Sequence, residues 1–307
     1  MSWFFYALLT MFLWGGADLF YKKGADCADR YSHLKTSVCV GTVMGIHAVL
    51  TILFGNIDYN FINLIKYLPV SLCYIISMTV GYFGLRYLEL SVSSPVQNTS
   101  GAIVCILCVL LLGQKLSPVL WCAIALICIA VFLLGLFERR ETNIKENDGK
   151  KYILGFTAVS IPVLYCIIDA LGTFFDAYYL DDISTTPLVG ATEESLETVA
   201  NISYELTFFA VAIFLFIYLC LIKKQKYEMK YLRPSRLLAA VLETAGQFTY
   251  VYAMSGKAVV AAPMVAAYSV VSLFSSRIFL KEKLNIKKYI CIVLVLLGIV
   301  ILGIYDV

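Results

Sequence analysis

Charge is what this chain has least of. Only 15% of its 307 residues are charged, against 61% hydrophobic, and that balance excludes an ordinary soluble domain. Histidine is nearly absent: His33 and His47 are the whole supply, too few for a histidine metal centre or a Ser/His/Asp nucleophile. A Gly-rich phosphate loop is missing too, so nothing points to ATP-driven work. Ser2-Trp3-Phe4-Phe5 lacks a basic leader, and Trp14 to Tyr21 offers no small-residue cleavage site, so the first apolar run is expected to remain as a helix. Ten cysteines are present, but Cys39, Cys73, Cys105, Cys108, Cys122, Cys128, Cys166, Cys220 and Cys291 lie in or beside apolar runs and only Cys27 in a polar connection. They read as small hydrophobes, without disulfide or metal-ligand spacing.

What the chain does have is apolar runs, near 3–21, 36–54, 67–88, 94–113, 118–137, 152–173, 201–222, 237–255, 258–280 and 288–305. Each approaches the roughly 20 residues a helix needs to cross about 30 Å of hydrocarbon. The expected fold is therefore an all-α integral membrane protein with ten transmembrane helices, divided by the charged stretch 138–151 into halves 1–137 and 152–307.

The halves echo each other. Tyr82, Pro95, Lys115-Leu116 and Gly135 match Tyr250, Pro263, Lys283-Leu284 and Gly303 at one offset of 168, while Trp14 and Asp18 match Tyr165 and Asp169 at 151. The difference of 17 is assigned to an insertion at about 176–200, an acidic stretch holding Asp176, Asp181, Asp182, Glu193, Glu194 and Glu197 without Lys or Arg. Of the 24 basic residues, only Lys66, Lys115 and Lys257 fall outside the connections after the odd-numbered helices. Basic connections are cytoplasmic, so the linker 138–151 is expected inside, and both termini and the acidic loop outside. Five helices per half make the two repeats inverted, an architecture with its substrate site between the halves near the midplane.

The residues Trp14-Gly15 with Asp18, the Tyr87-Leu88-Glu89-Leu90-Ser91 to Pro95 hinge, Gly113-Gln114-Lys115-Leu116-Ser117, and the stretches Val259 to Pro263 and Leu280 to Leu284 carry a resemblance. The chain resembles the drug/metabolite transporter superfamily, in its ten-helix branch with two EamA-like halves. The resemblance implies transport and spans nearly the whole chain except 176–200. It is general in substrate, since that superfamily moves amino acids, drugs, sugars, choline-like amines and nucleotide sugars. Gln114 stands where the family commonly has a glutamate, which Glu282 keeps.

Acids inside apolar runs are costly and usually face a polar cavity. Asp18 and Asp169 occupy matching places in the two halves, and Glu243, Gln247 and Tyr250 share one face at i, i+4 and i+7. Gln97 and Asn98 open the fourth run as amides able to bind substrate or join helices. Trp14, Tyr74, Tyr82, Tyr165, Tyr250 and Tyr268 lie inside runs, where most aromatics pack but ring faces near acids suit an organic cation. Against these readings stand plain ones: Asp18 paired with Lys22, Asp169 at the water interface, Glu243 bonded for helix packing. Glu205 is placed near the outer surface, with little role.

The expectation is a non-enzymatic, plasma-membrane secondary transporter that moves a cationic or zwitterionic metabolite by alternating access. Its partners are that small molecule, the lipid bilayer and a coupling proton. It needs no cofactor, metal or nucleic acid, and its oligomeric state is left open. Two alternatives stand beside it: a membrane sensor or assembly partner docking through the acidic loop, and a flippase for a lipid-linked group.

Overall fold

A chain this apolar, placed in lipid, must satisfy its backbone polar groups internally, which leaves the helix as the local solution. The computed structural model describes residues 3–26, 28–55, 57–87, 99–145, 156–225, 233–255, 257–280 and 285–305, and all regular structure among them is helical. In order these are α1 (Trp3–Gly24), α2 (Ser32–Phe54), the single turn α3 (Asn63–Lys66), α4 (Leu68–Tyr87), α5 (Ser100–Leu111) and α6 (Pro118–Lys145). Then follow α7 (Phe156–Asp181), α8 (Leu196–Ile217, continued by a π turn at Tyr218–Ile222), α9 (Pro234–Met254), α10 (Ala258–Ala266), α11 (Tyr268–Leu280) and α12 (Ile286–Tyr305). Pro118 and Pro234 each open a helix, the position where a missing N–H costs nothing.

Six segments are long and apolar enough to cross a bilayer, and Leu68–Gly84, Ser100–Leu111 and Pro118–Leu134 are shorter apolar stretches. Helix α9 has spanning length at 21 residues but carries Arg236, Glu243, Thr244 and Gln247, all buried. The outer faces are bare hydrocarbon: Leu53, Phe54, Leu110, Phe214 and Leu221 are each more than 60% exposed, as residues facing lipid would be. The nine described cysteines are all free thiols.

Helix pairing puts the core where the site will lie. Helix α1 packs on α9 and on α10 and α11; α4 packs on α7, and α5 on α7 and α10; α2 packs on α8 and α9, and α6 on α12. The α2–α8 approach is close because Gly41 faces it: a Cβ there would meet the Phe208 carbonyl oxygen at 2.3 Å.

The ninth run is not one helix. Helix α10 ends at Ala266 and α11 starts at Tyr268, while Pro263 lies inside α10, where its missing N–H and its ring affect the turn before it. The break sits inside protein, every residue of α10 being buried, where irregular backbone is tolerated at membrane depth.

Connections segregate to two ends. Arg236 Nε donates to Gly24 O at 3.0 Å and Arg233 pairs with Asp26 at 2.8 Å, so the α1–α2 and α8–α9 connections share one end. At the other end of α2, the Asn63 amide donates to Val189 O at 2.9 Å and accepts from Val189 N at 2.8 Å, while Gln114 donates to Asp181 at 2.7 Å.

Two boundaries differ from the sequence expectation. Helix α7 runs to Asp181 and α8 starts at Leu196, so the acidic connection is 182–195, with Asp176 and Asp181 inside a helix and Glu197 in the first turn of the next. Helix α6 runs to Lys145, taking in the first part of the 138–151 stretch, and residues 146–151 lie outside the described residues.

Candidate functional site

The faces brought together by this packing line a cavity of about 890 Å³, the open space at its mouth included. Helix α1 contributes Trp14, Asp18 and Tyr21, and α9 contributes Glu243, Gln247 and Tyr250. Both triplets follow i, i+4, i+7, which stacks them on one face of a helix. Helix α7 adds Tyr165, Asp169 and Thr173; α4 adds Tyr74, Met78, Gly81 and Tyr82. Tyr204 comes from α8, Ser100 and Gly101 from α5, and the broken α10–α11 pair gives Ala262, Val265, Ala266 and Tyr268.

Each ring is held by a specific neighbour. Gly246 leaves room for the Trp14 indole, since a Cβ there would sit 2.4 Å from Trp14 Cδ1. The indole Nε1 donates to the Glu243 backbone carbonyl at 3.4 Å, and its ring lies 4.9 Å from Tyr250 and 6.1 Å from Tyr268. Tyr21 and Tyr82 stand 4.7 Å apart, and Tyr74 meets Tyr204 edge-on at 5.6 Å. The Tyr74 hydroxyl bonds both Thr173 and Tyr250, at 2.8 Å each.

The acids are set differently from one another. Asp18 accepts from Ser272 of α11 at 3.1 Å. Asp169 has the hydroxyls of Ser77, Ser100 and Tyr165 within reach. Glu243 is 8% exposed, and the Tyr21 hydroxyl faces it without a well-aligned hydrogen bond. Asp18 and Asp169 both act electrostatically on Glu243. Gln247, 1% exposed, keeps its amide nitrogen without a partner, as Tyr82 does its hydroxyl. No Lys, Arg or His lines the cavity among the described residues. Such a wall can hold a cation by carboxylate attraction and ring faces, while the free amide can serve a hydrogen-bond acceptor on the same molecule.

Ten of the twelve residues singled out from sequence therefore surround one space; Gln97 and Asn98 lie outside the described residues. Sequence reading missed Tyr21, Met78, Thr173 and Tyr204. Tyr21 continues the Trp14, Asp18 face at i+7, Met78 lies between Tyr74 and Tyr82, and Thr173 follows Asp169 by four, so the helical period reaches all three. Tyr204 carries no such signal, because its neighbour Glu205 points elsewhere.

Glu205 is a correction. The sequence places it near the outer surface, yet it is wholly buried, 2.8 Å from His47 Nδ1, and accepts from Asn201 at 3.1 Å. Helix α8 starts at Leu196 rather than near 201, which places Glu205 about 14 Å into it at 1.5 Å per residue. The pair sits apart from the cavity, on the α2–α8 contact. Among the described residues no group of His, Cys, Asp and Glu is placed to hold a metal ion.

The profile of the EamA-like transporter family matches residues 1–136 and 184–304. A protein known from a crystal structure superposes with a TM-score of 0.64 over 98% of this chain and 96% of its own, at 12% identity, a likeness of fold alone. No curated protein matches the chain.

Proposed function

Because the chain belongs to the EamA-like transporter family, whose members are membrane transporters of small molecules, we propose that it is a secondary transporter for a small cationic or zwitterionic metabolite. The observation that carries the reading is the cavity wall: Asp18, Asp169 and Glu243 among Trp14 and seven tyrosines, without a basic side chain among the described residues. An ammonium group meets carboxylates and ring faces there, whereas a lone anion meets three acids and no counter-charge among the described residues.

We count ten membrane segments by taking α10 and α11 as one and leaving out α3. Exchanging the first five with the last five then turns the α1–α9 contact into α7–α4 and the α2–α9 contact into α8–α4, and leaves α2–α8, α5–α10 and α6–α12 unchanged. That self-mapping supports two related halves, inverted because each has an odd number of crossings. The cavity between them, with a broken helix in its wall, fits alternating access. The end holding Arg233 and Arg236 is assigned to the cytoplasm on its basic charge, so both termini and the 182–195 connection face outside, with the plasma membrane as the setting.

The test is uptake by the purified chain in liposomes, under imposed proton or sodium gradients, of labelled tyramine, choline, tyrosine, glucose and phosphate. The amines or the amino acid should accumulate, and glucose and phosphate should not. No gradient-driven flux of any of them would overturn the reading.

A further inference from the structure

Below the outer connections, the seam between α4 and α7 carries polar pairs in steps of about one turn or two. Tyr67 donates to Asp176, Tyr74 bonds Thr173, and Ser77 reaches Asp169 at the cavity. The lowest pair belongs to the proposed substrate site; the uppermost does not, since Asp176 is outside the cavity lining. Asp176 is fully buried, as is Tyr67, and its second oxygen, Oδ2, has no hydrogen-bond partner.

The titratable groups near this carboxyl are Tyr67 just before α4, Tyr74 of α4, Tyr204 of α8 and Tyr250 of α9, with Asp169 two turns along α7. All are phenols or an acid, so among the described residues none of these neighbours offers a positive charge. A metal cation would need several oxygen ligands arranged around it, and no such cluster occurs among the described residues. A proton needs only the free oxygen. Burying a carboxylate without a counter-charge is expensive, whereas the neutral acid is tolerated.

We propose that Asp176 is a proton-binding site separate from the substrate cavity, through which proton movement is coupled to transport. The proton forms an O–H bond at Oδ2 and leaves as the carboxylate is regenerated; Tyr67 donates to Oδ1 in both forms. Asp176 lies next to the Thr173–Tyr74–Tyr250 hydrogen-bond chain, which joins α4, α7 and α9. Loading the site changes the charge beside the contact between halves. The coupling half of this inference rests on the transport reading; the proton site does not.

The test uses the full chain in liposomes. Infrared spectra at neutral pH should show a carboxylic-acid C=O band that Asp176→Asn removes. Tyr67→Phe should displace it in frequency, because one hydrogen bond to that carboxyl is lost, and Glu243→Gln should leave it in place. If Asp176→Asn fails to fold, the Tyr67→Phe displacement carries the assignment. A band unchanged by both Asp176→Asn and Tyr67→Phe would overturn the site. For coupling, Asp176→Asn should lose pH-gradient-driven tyramine accumulation at least tenfold and keep tyramine exchange across the membrane. Wild-type accumulation by Asp176→Asn would overturn the coupling. A wild type that moves none of the panel counts against the transport reading alone, since the infrared measurement needs no substrate.

Discussion

The Tyr74 hydroxyl lies 2.8 Å from that of Tyr250, joining residues 176 positions apart in opposite halves of the chain. Tyr74 also reaches Thr173 at 2.8 Å, so one phenol ties α4 to both α7 and α9 at the edge of the cavity. Such bonds inside membranes contribute about 0.6 kcal/mol each on average. Tyr250→Phe removes one and Tyr74→Phe removes both, so the second variant should lose roughly twice the stability of the first. Unfolding of the purified variants in detergent checks the ratio; equal losses would place the strength of the chain in Tyr74–Tyr250 alone.

Trp14 owes its place to Gly246, and that dependence is testable. A Cβ at 246 would stand 2.4 Å from the indole, so Gly246→Val must displace the ring from the cavity wall. Amine binding should weaken by about 2 kcal/mol, the scale of a desolvated cation–π contact, while Gly246→Ala should fall between. Titration of an amine against Trp14 fluorescence reads both the affinity and the displaced ring. Unaltered affinity in the valine variant would remove Trp14 from the site.

Most of the cavity wall is legible in the helical period of the sequence. Apolar runs mark the helices, and an acid inside such a run is rare enough to single out Asp18, Asp169 and Glu243. Periodicity then carries outward along each face, as Gln247 and Tyr250 follow Glu243. Side chains contributed singly by a helix stay hidden: Tyr204 looks like any other aromatic in an apolar run. Glu205 misleads for a related reason, because its depth depends on where α8 begins and its burial depends on His47, 158 residues away. The break at Ala267 is equally out of reach, since Pro263 alone does not say whether a helix bends or stops.

His47 and Glu205 should behave as a structural pair. His47 is partly exposed but Glu205 is wholly buried, so removing the imidazole leaves a buried carboxyl short of a partner, at a cost of about 1–3 kcal/mol. His47→Ala leaves Glu205 with only Asn201 and should lower thermal stability markedly. The doubly neutral His47→Ala, Glu205→Leu should recover much of it, and substrate selectivity should be unchanged in both. A shift in selectivity would bring this pair into the site.

At the basic end, acid should loosen one contact. Burial alone would raise the Asp29 carboxyl, but the Lys35 ammonium at 2.7 Å and the Tyr31 N–H outweigh it and hold it below its ordinary value. A carboxyl held lower in the folded state adds stability above its unfolded pKa, near 3.9, and loses it as pH falls through the lower folded value. Wild type and Asp29→Asn should therefore differ in melting temperature at neutral pH and converge in strong acid. A difference independent of pH would assign the effect to packing.

The central claim is that the cavity recognises positive charge through its acids. The most direct measurement is competition, in liposomes, between each transported amine and its alcohol counterpart, identical except for the ammonium group. In wild type the amine should win by about tenfold or more, the value of one hydrogen bond to a charged group at roughly 1.5–3 kcal/mol. In Glu243→Gln, gradient-driven uptake should be abolished and the binding preference should shrink towards parity, with Glu243→Asp milder. Equal competition by amine and alcohol in the wild type, or an undiminished preference in Glu243→Gln, would contradict it.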